Sequence, residues 1–111
     1  MRPAVFEPTF HKHAKTACGG CQVHVTDRSA FRAVETGVAL LEAFRAADPE
    51  RFGWKDPPYE YEYERLPIDL LAGSSALREQ IEAGDSAADI ARSWESPVRE
   101  FGKVRTKFLI Y

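Results

Sequence analysis

Apolar and polar positions alternate most regularly between Cys21 and Thr26. Cys21, Val23 and Val25 fall on one side and Gln22, His24 and Thr26 on the other, the period of two that a half-buried strand requires. A second alternation, Tyr59, Tyr61 and Tyr63 against Glu60, Glu62 and Glu64, predicts a strand with a tyrosine face and a carboxylate face. Ahead of both, Val5 to Phe10 has the aromatic content of an extended segment, but Pro8 lacks a ladder donor and limits it to an edge or irregular strand. His11 to Gly20 reads as a polar loop ending in a glycine pair, and Asp27 to Phe31 reads as a turn.

Helical spacing dominates elsewhere. Thr36 can cap a helix running to about Ala47, with Val38, Leu41, Leu40 and Phe44 as its apolar positions, and Asp48-Pro49 ends it. Phe52 and Trp54 are available as anchors in the irregular stretch that follows. Leu66 to Ala72 forms a short helical turn closed by Gly73, which takes a left-handed cap without strain. Ser74 or Ser75 caps a helix carrying Leu77 and Ile81, with Gly84 as its stop. Ser86 opens another through Ile90 and Trp94, and Pro97 suits the first turn of a new helix, so a break is expected near Ser96. Phe101 and Val104 continue the apolar stripe, and Phe108 to Tyr111 is expected as a terminal strand or docked tail. The predicted architecture is α+β: a single small domain over residues 1–111, a few-stranded sheet packed with three to four helices.

Composition agrees with one globular domain: 111 residues, 44% apolar and 12% aromatic, with aromatics spread from Phe6 to Tyr111. Fifteen basic against seventeen acidic residues leave a charge of −2 and no basic stripe, so no nucleic-acid partner is expected. No apolar run reaches the ~20 residues of a membrane span. Pro3, Glu7 and Pro8 stand where a signal peptide would be apolar, so the chain is expected to be soluble and to carry no signal of its own.

The residues with chemistry to offer cluster early. His11, His13, Cys18, Cys21 and His24 include ligand types for zinc, and Cys18/Cys21 is a Cys-x-x-Cys half-site. The usual spacing of a second half is absent, so no metal or other cofactor is expected. The redox use of this motif also lacks its βαβ setting. Cys21, alternating with Val23 and Val25, is expected to be a small buried side chain. The tyrosine face is expected to pack on a helix rather than to stack on sugars, with the glutamates in solvent. Leu77, Ile81, Ile90, Trp94, Phe101 and Val104 are core residues by spacing.

An ordered set of segments covers nearly the whole chain: Phe6 to His13, Cys18 to Gly20, Gln22 to Asp27, Thr36 to Leu41, Pro67 to Gly73, Arg78, Ile81 to Gly84, Ser93-Trp94, Arg105 and Phe108 to Tyr111. Together they resemble the C-terminal domain of NamZ-type exo-β-N-acetylmuramidases, glycoside hydrolases of the bacterial cell wall. Lys15 departs from that pattern, which usually has glycine there.

The resemblance implies a two-domain enzyme that removes N-acetylmuramic acid from peptidoglycan fragments. Its Rossmann-like N-terminal domain carries the catalytic carboxylates, and its C-terminal domain closes one side of a cleft; parents of this kind are often exported. Glycoside cleavage needs two carboxylates flanking the scissile bond. Asp27, Asp69 and Glu82 fall in matched segments, yet each has a plain structural use as turn former, helix residue or surface charge. No catalytic pair is nominated. The expectation is therefore an accessory domain, inactive alone, partnered by a Rossmann-like domain in cis or from a neighbouring gene. His11, Lys12, His13, Gln22 and His24 would line the sugar cleft, Lys12 meeting the lactyl carboxylate of muramic acid. The alternative use of these donors is to bond their own loop and Asp27. The alternative function is a free-standing, non-catalytic module that binds a cell-wall sugar or a protein.

Overall fold

The computed structural model describes residues 1–110 and divides the chain into two compact units, residues 1–31 and 32–111. The α+β class expected from the sequence holds, with one two-stranded antiparallel sheet in the first unit and helices in the second.

The first unit is a hairpin of β1 (Arg2–Phe6) and β2 (Cys18–Gln22), in register from Arg2↔Gln22 to Phe6↔Cys18. Both strands differ from the expectation. β1 ends before Pro8, and Pro3 is tolerated because each strand of a two-stranded sheet has a free edge. β2 takes in the glycine pair assigned to the loop and stops at Gln22, leaving Val23 to Thr26 outside the ladder and exposed. Gly20 explains the shift: a Cβ there would lie 3.1 Å from the Phe6 ring, so a bare backbone lets that ring lie against β2. Cross-strand partners share a face, so Gly20 and Cys18 share one with Phe6 and Ala4, whereas Cys21 shares the other with Pro3 and Val5. Cys21 and Val5 are both exposed, and the expectation of a buried Cys21 is overturned.

The second unit contains α1 (Ala33–Ala47), α2 (Pro67–Ala72), α3 (Ala76–Ala83), α4 (Ala87–Ser93) and α5 (Glu95–Arg105), followed by a 3-10 turn at Thr106–Phe108. α1 begins three residues before Thr36, whose hydroxyl donates to the Arg32 carbonyl at 2.8 Å from inside the first turn instead of capping it. The later punctuation follows the sequence closely. Gly73 and Gly84 close α2 and α3 at φ of 84° and 88°, and the Ser86 hydroxyl caps α4 by accepting the Asp89 N–H at 3.1 Å. The expected break falls at Trp94, which separates α4 from α5. No helix is long and apolar enough to cross a membrane among the described residues.

The core of this unit is small: Val38 from α1, Ile81 from α3, and Ala87 and Ile90 from α4, with Leu41, Trp54, Leu77 and Trp94 packed against it. Phe101 and Val104 do not join it. They stand 64% and 52% exposed on α5, a helix with no buried residue. Phe108 to Ile110 are exposed and form no strand, and the Tyr111 end of that expectation lies outside the described residues.

The tyrosine strand is likewise absent. Tyr59 and Glu62 exchange backbone hydrogen bonds of 2.9 and 3.0 Å, so the chain reverses between them, with Glu60 at φ 54°. A reversal of that kind turns successive side chains away from a common face, and Tyr61 is left 94% exposed.

The loop from residue 7 to 17 has an unusual backbone: His11, His13 and Lys15 all take left-handed φ of 62°, 61° and 58°. Histidine enters this region more readily than most residues. A side chain such as that of lysine costs about 1–2 kcal/mol there, and glycine offsets part of the gain through its greater unfolded entropy. Lys15→Gly should therefore stabilise the loop by about 0.5–1 kcal/mol. The measurement is amide exchange at residue 15, whose N–H bonds the Pro8 carbonyl at 2.8 Å; exchange should slow by roughly two- to fivefold, and unchanged exchange would show no strain to relieve.

Candidate functional site

The connection between β1 and β2 carries His11, Lys12 and His13, all exposed. Its shape comes from three backbone bonds: Ala14 N–H to the His11 carbonyl at 3.2 Å, Lys15 N–H to Pro8 at 2.8 Å, and Thr16 N–H to His13 at 3.1 Å. The Phe10 ring meets the His11 imidazole edge-on with centroids 4.9 Å apart. Gln22 closes the opposite end of the ladder and His24 follows it. Four register steps at about 3.3 Å each separate the two ends by roughly 13 Å. The hairpin thus gathers His11, Lys12 and His13 at one end and carries Gln22 and His24 to the other.

None of these five side chains makes a hydrogen bond or ion pair among the described residues. Asp27, the partner considered for them, instead accepts from the Ser29 N–H at 2.8 Å, the Ser29 hydroxyl at 2.6 Å and the Ala30 N–H at 3.3 Å. Those bonds, the Ser29 hydroxyl's first, hold its carboxyl below the usual range. Nor do the candidate zinc ligands assemble: no three His, Cys, Asp or Glu side chains among the described residues come together as a metal site. Cys18 and Cys21 are three apart on a strand and so point to opposite faces.

The densest polar arrangement lies in the second unit. Arg78 on α3 donates from Nε to both Asp69 oxygens at 2.9 and 3.2 Å and from Nη2 to Oδ2 at 3.2 Å, while Nη1 donates to the Glu82 carboxylate at 3.1 and 3.3 Å. The planar fork of guanidinium suits two-point gripping of carboxylates. Bonding to Asp69, followed by Glu82, raises the Arg78 pKa further above its ordinary value. The Arg78 and Asp69 side chains are 19% and 15% exposed, so solvent screens this pair less than a surface pair. Glu82 also accepts the Trp54 indole N–H at 2.8 Å, and its backbone carbonyl accepts from Arg45 of α1 at 2.9 Å.

Sequence reasoning treated Asp69 and Glu82 as individual structural residues and missed this clasp. Arg78 and Glu82 stand at i, i+4 on one helix, a readable pair. Asp69 reaches Arg78 only because Gly73 turns the chain between α2 and α3.

A second carboxylate is held in the 59–65 turn. Glu62 accepts from the Glu64 N–H at 2.9 Å, the Arg65 N–H at 3.3 Å and Arg65 Nε at 3.0 Å. These bonds, the Glu64 N–H first, lower its pKa from 4.5 to about 2.

The sequence model described as the C-terminal domain of exo-β-N-acetylmuramidase NamZ matches residues 1–111. The chain is also similar to the peptidoglycan β-N-acetylmuramidase NamZ of Bacillus subtilis (strain 168), with 39% identity over 111 residues, covering 100% of this chain and 25% of that protein. It thus spans about a quarter of the length of the curated relative it matches. No solved structure matches.

Two outcomes follow from the charged groups. Arg78→Lys should lower the urea midpoint nearly as far as Arg78→Ala, because one ammonium cannot replace the two-sided fork; full recovery by lysine would show that charge alone suffices. For Glu62 the folded pKa is depressed, so its contribution is present above the unfolded value near 4.5 and is lost as pH falls through about 2. Carboxyl carbon shifts should give a midpoint near 2, and Arg65→Ala should raise it only part of the way, since the Glu64 N–H remains. A midpoint near 4.5 in the unmodified chain would contradict this.

Proposed function

The chain belongs to the NamZ C-terminal domain family, and from that premise we propose that it serves as the accessory, cleft-forming part of an exo-β-N-acetylmuramidase, silent alone and active only beside a larger catalytic portion. The observation that carries this reading is the state of two carboxylates in the matched segments, Asp69, 15% exposed, and Glu82, 43% exposed. Asp69 and Glu82 are both engaged by Arg78, and Glu82 also by Trp54. Cleavage of a glycoside needs one carboxyl group to give a proton and another to act as nucleophile or base, roughly 5 to 9.5 Å apart. A carboxylate held against a guanidinium is a poor proton donor, because the cation favours its ionised form.

What the domain contributes is a set of donors. The His11-Lys12-His13 loop presents an ammonium and two imidazoles on a backbone set by three local hydrogen bonds, which suits a sugar bearing a carboxylate, as muramic acid does. Gln22 and His24, about 13 Å along the ladder, would meet a different part of a glycan or its peptide.

The test is release of N-acetylmuramic acid from a peptidoglycan fragment ending in that sugar. The chain alone should release none. Added to the separately produced remaining three quarters of the Bacillus subtilis relative, it should restore release. Lys12→Ala should then lower kcat/KM by roughly ten- to a hundredfold, the loss of one charge-assisted hydrogen bond. Release by the chain alone would overturn the accessory reading, and unchanged kinetics in Lys12→Ala would remove the loop from the cleft.

A further inference from the structure

An open groove of about 530 Å³ runs across the second unit, where the start of α1 meets α2, α3 and the α4–α5 junction. Its apolar lining comes chiefly from Val34, Leu71, Leu77, Trp94 and Pro97. None of the ten residues lining it is charged, in a chain that is 29% charged; an even share would be about three. Depletion of charge with retention of aromatic and aliphatic side chains marks the centre of a protein interface rather than a solvated helix face.

Val34 and Leu71 also stand 67% and 70% exposed, although α1 and α2 both have a buried side on which they could have been placed. The neighbouring groove is the contrast. It is lined by Arg32, Glu35, Arg92 and Glu95 beside Trp94, the alternating charge of a surface that water can cover.

We infer that this uncharged groove is the docking surface for an apolar segment of the larger N-terminal portion that NamZ-type chains carry. The inference rests on the accessory reading and adds to it the face through which the domain is held. The argument for this occupant is one of length. The matched family is a C-terminal domain, and 111 residues make up 25% of the curated relative, so three quarters of such a chain lies on the N-terminal side. The groove's lining offers no charge to recognise an ionic ligand, Ser74, Gln80 and Ser93 being its polar side chains, and its volume accommodates a few large apolar side chains. α5 adds a second sign of missing cover: it has no buried residue, and Val98, Phe101 and Val104 at helical spacing are all exposed.

The experiment titrates the unmodified chain, Leu71→Asp and Val34→Asp into the separately produced N-terminal portion of the Bacillus subtilis relative, reading release of N-acetylmuramic acid. Both side chains are largely exposed, so the variants should keep the thermal unfolding midpoint of the unmodified chain, checked by circular dichroism. Each aspartate should raise the concentration giving half-maximal activity about tenfold or more and leave the plateau rate unchanged. Unshifted half-saturation in both variants would overturn the groove while leaving the accessory role standing. Absence of activation by the unmodified chain at any concentration would overturn the accessory reading, and the groove with it. Self-association of the chain that Leu71→Asp abolishes would assign the groove to a second copy and overturn this occupant.

Discussion

Arg78 is the side chain on which the helical unit depends. Its guanidinium stays charged at any pH the fold meets, and it spans Asp69 on α2 and Glu82 one turn along α3. Glu82 passes the connection on, through its carboxylate to Trp54 and through its carbonyl to Arg45 of α1. One turn of α3 therefore ties together two other helices and the irregular segment around residue 54. An apolar core of Val38, Ile81, Ala87 and Ile90 would leave short helices such as α2 and α3 free to slide, since six- and eight-residue helices are marginal by themselves. Directional bonds fix what so few apolar contacts cannot.

The same clasp bears on function. Where both oxygens of Asp69 already have a donor, freeing that carboxylate for catalysis would strip Arg78 of its more buried partner and leave the guanidinium, partly desolvated, facing the more exposed Glu82, an unfavourable state. The requirement for stability and the requirement for a proton donor thus exclude one another at Asp69. In a family named for glycoside cleavage, that exclusion supports the proposal that the chemistry belongs to another part of the protein and that this domain shapes and holds.

How much of this was legible in the sequence divides along the range of the interactions. Helix stops at Gly73 and Gly84 and the cap at Ser86 are set by residues within one turn of each other, and the chain has them where local rules place them. The strands failed because pairing is not local. β2 is defined by Arg2 to Phe6, twelve to twenty residues away in register pairs from Phe6↔Cys18 to Arg2↔Gln22, and the regular alternation at Val23 and Val25 has no partner strand among the described residues. Tyr59 to Glu64 shows that a period of two is insufficient when one residue, Glu60, adopts a left-handed backbone. At the site, the chemical types in His11-Lys12-His13 were readable and their surroundings were not. Gln22 and His24 alternate on the strand's polar side in the sequence, yet the register carries them to the far end of the hairpin.

That hairpin raises a question of support. No residue from 1 to 31 is buried, and a two-stranded sheet is at best marginally stable in water, so apolar packing cannot be what presents Lys12. The backbone supplies the alternative. Three left-handed residues at 11, 13 and 15, locked by carbonyl acceptors at Pro8, His11 and His13, confine the loop to a narrow set of shapes before any ligand arrives. Restricting the donors in this way would reduce the entropy lost on binding the proposed sugar. A left-handed lysine at position 15 is the visible cost of that shape, and it falls on the chain next to the residues proposed to hold the sugar.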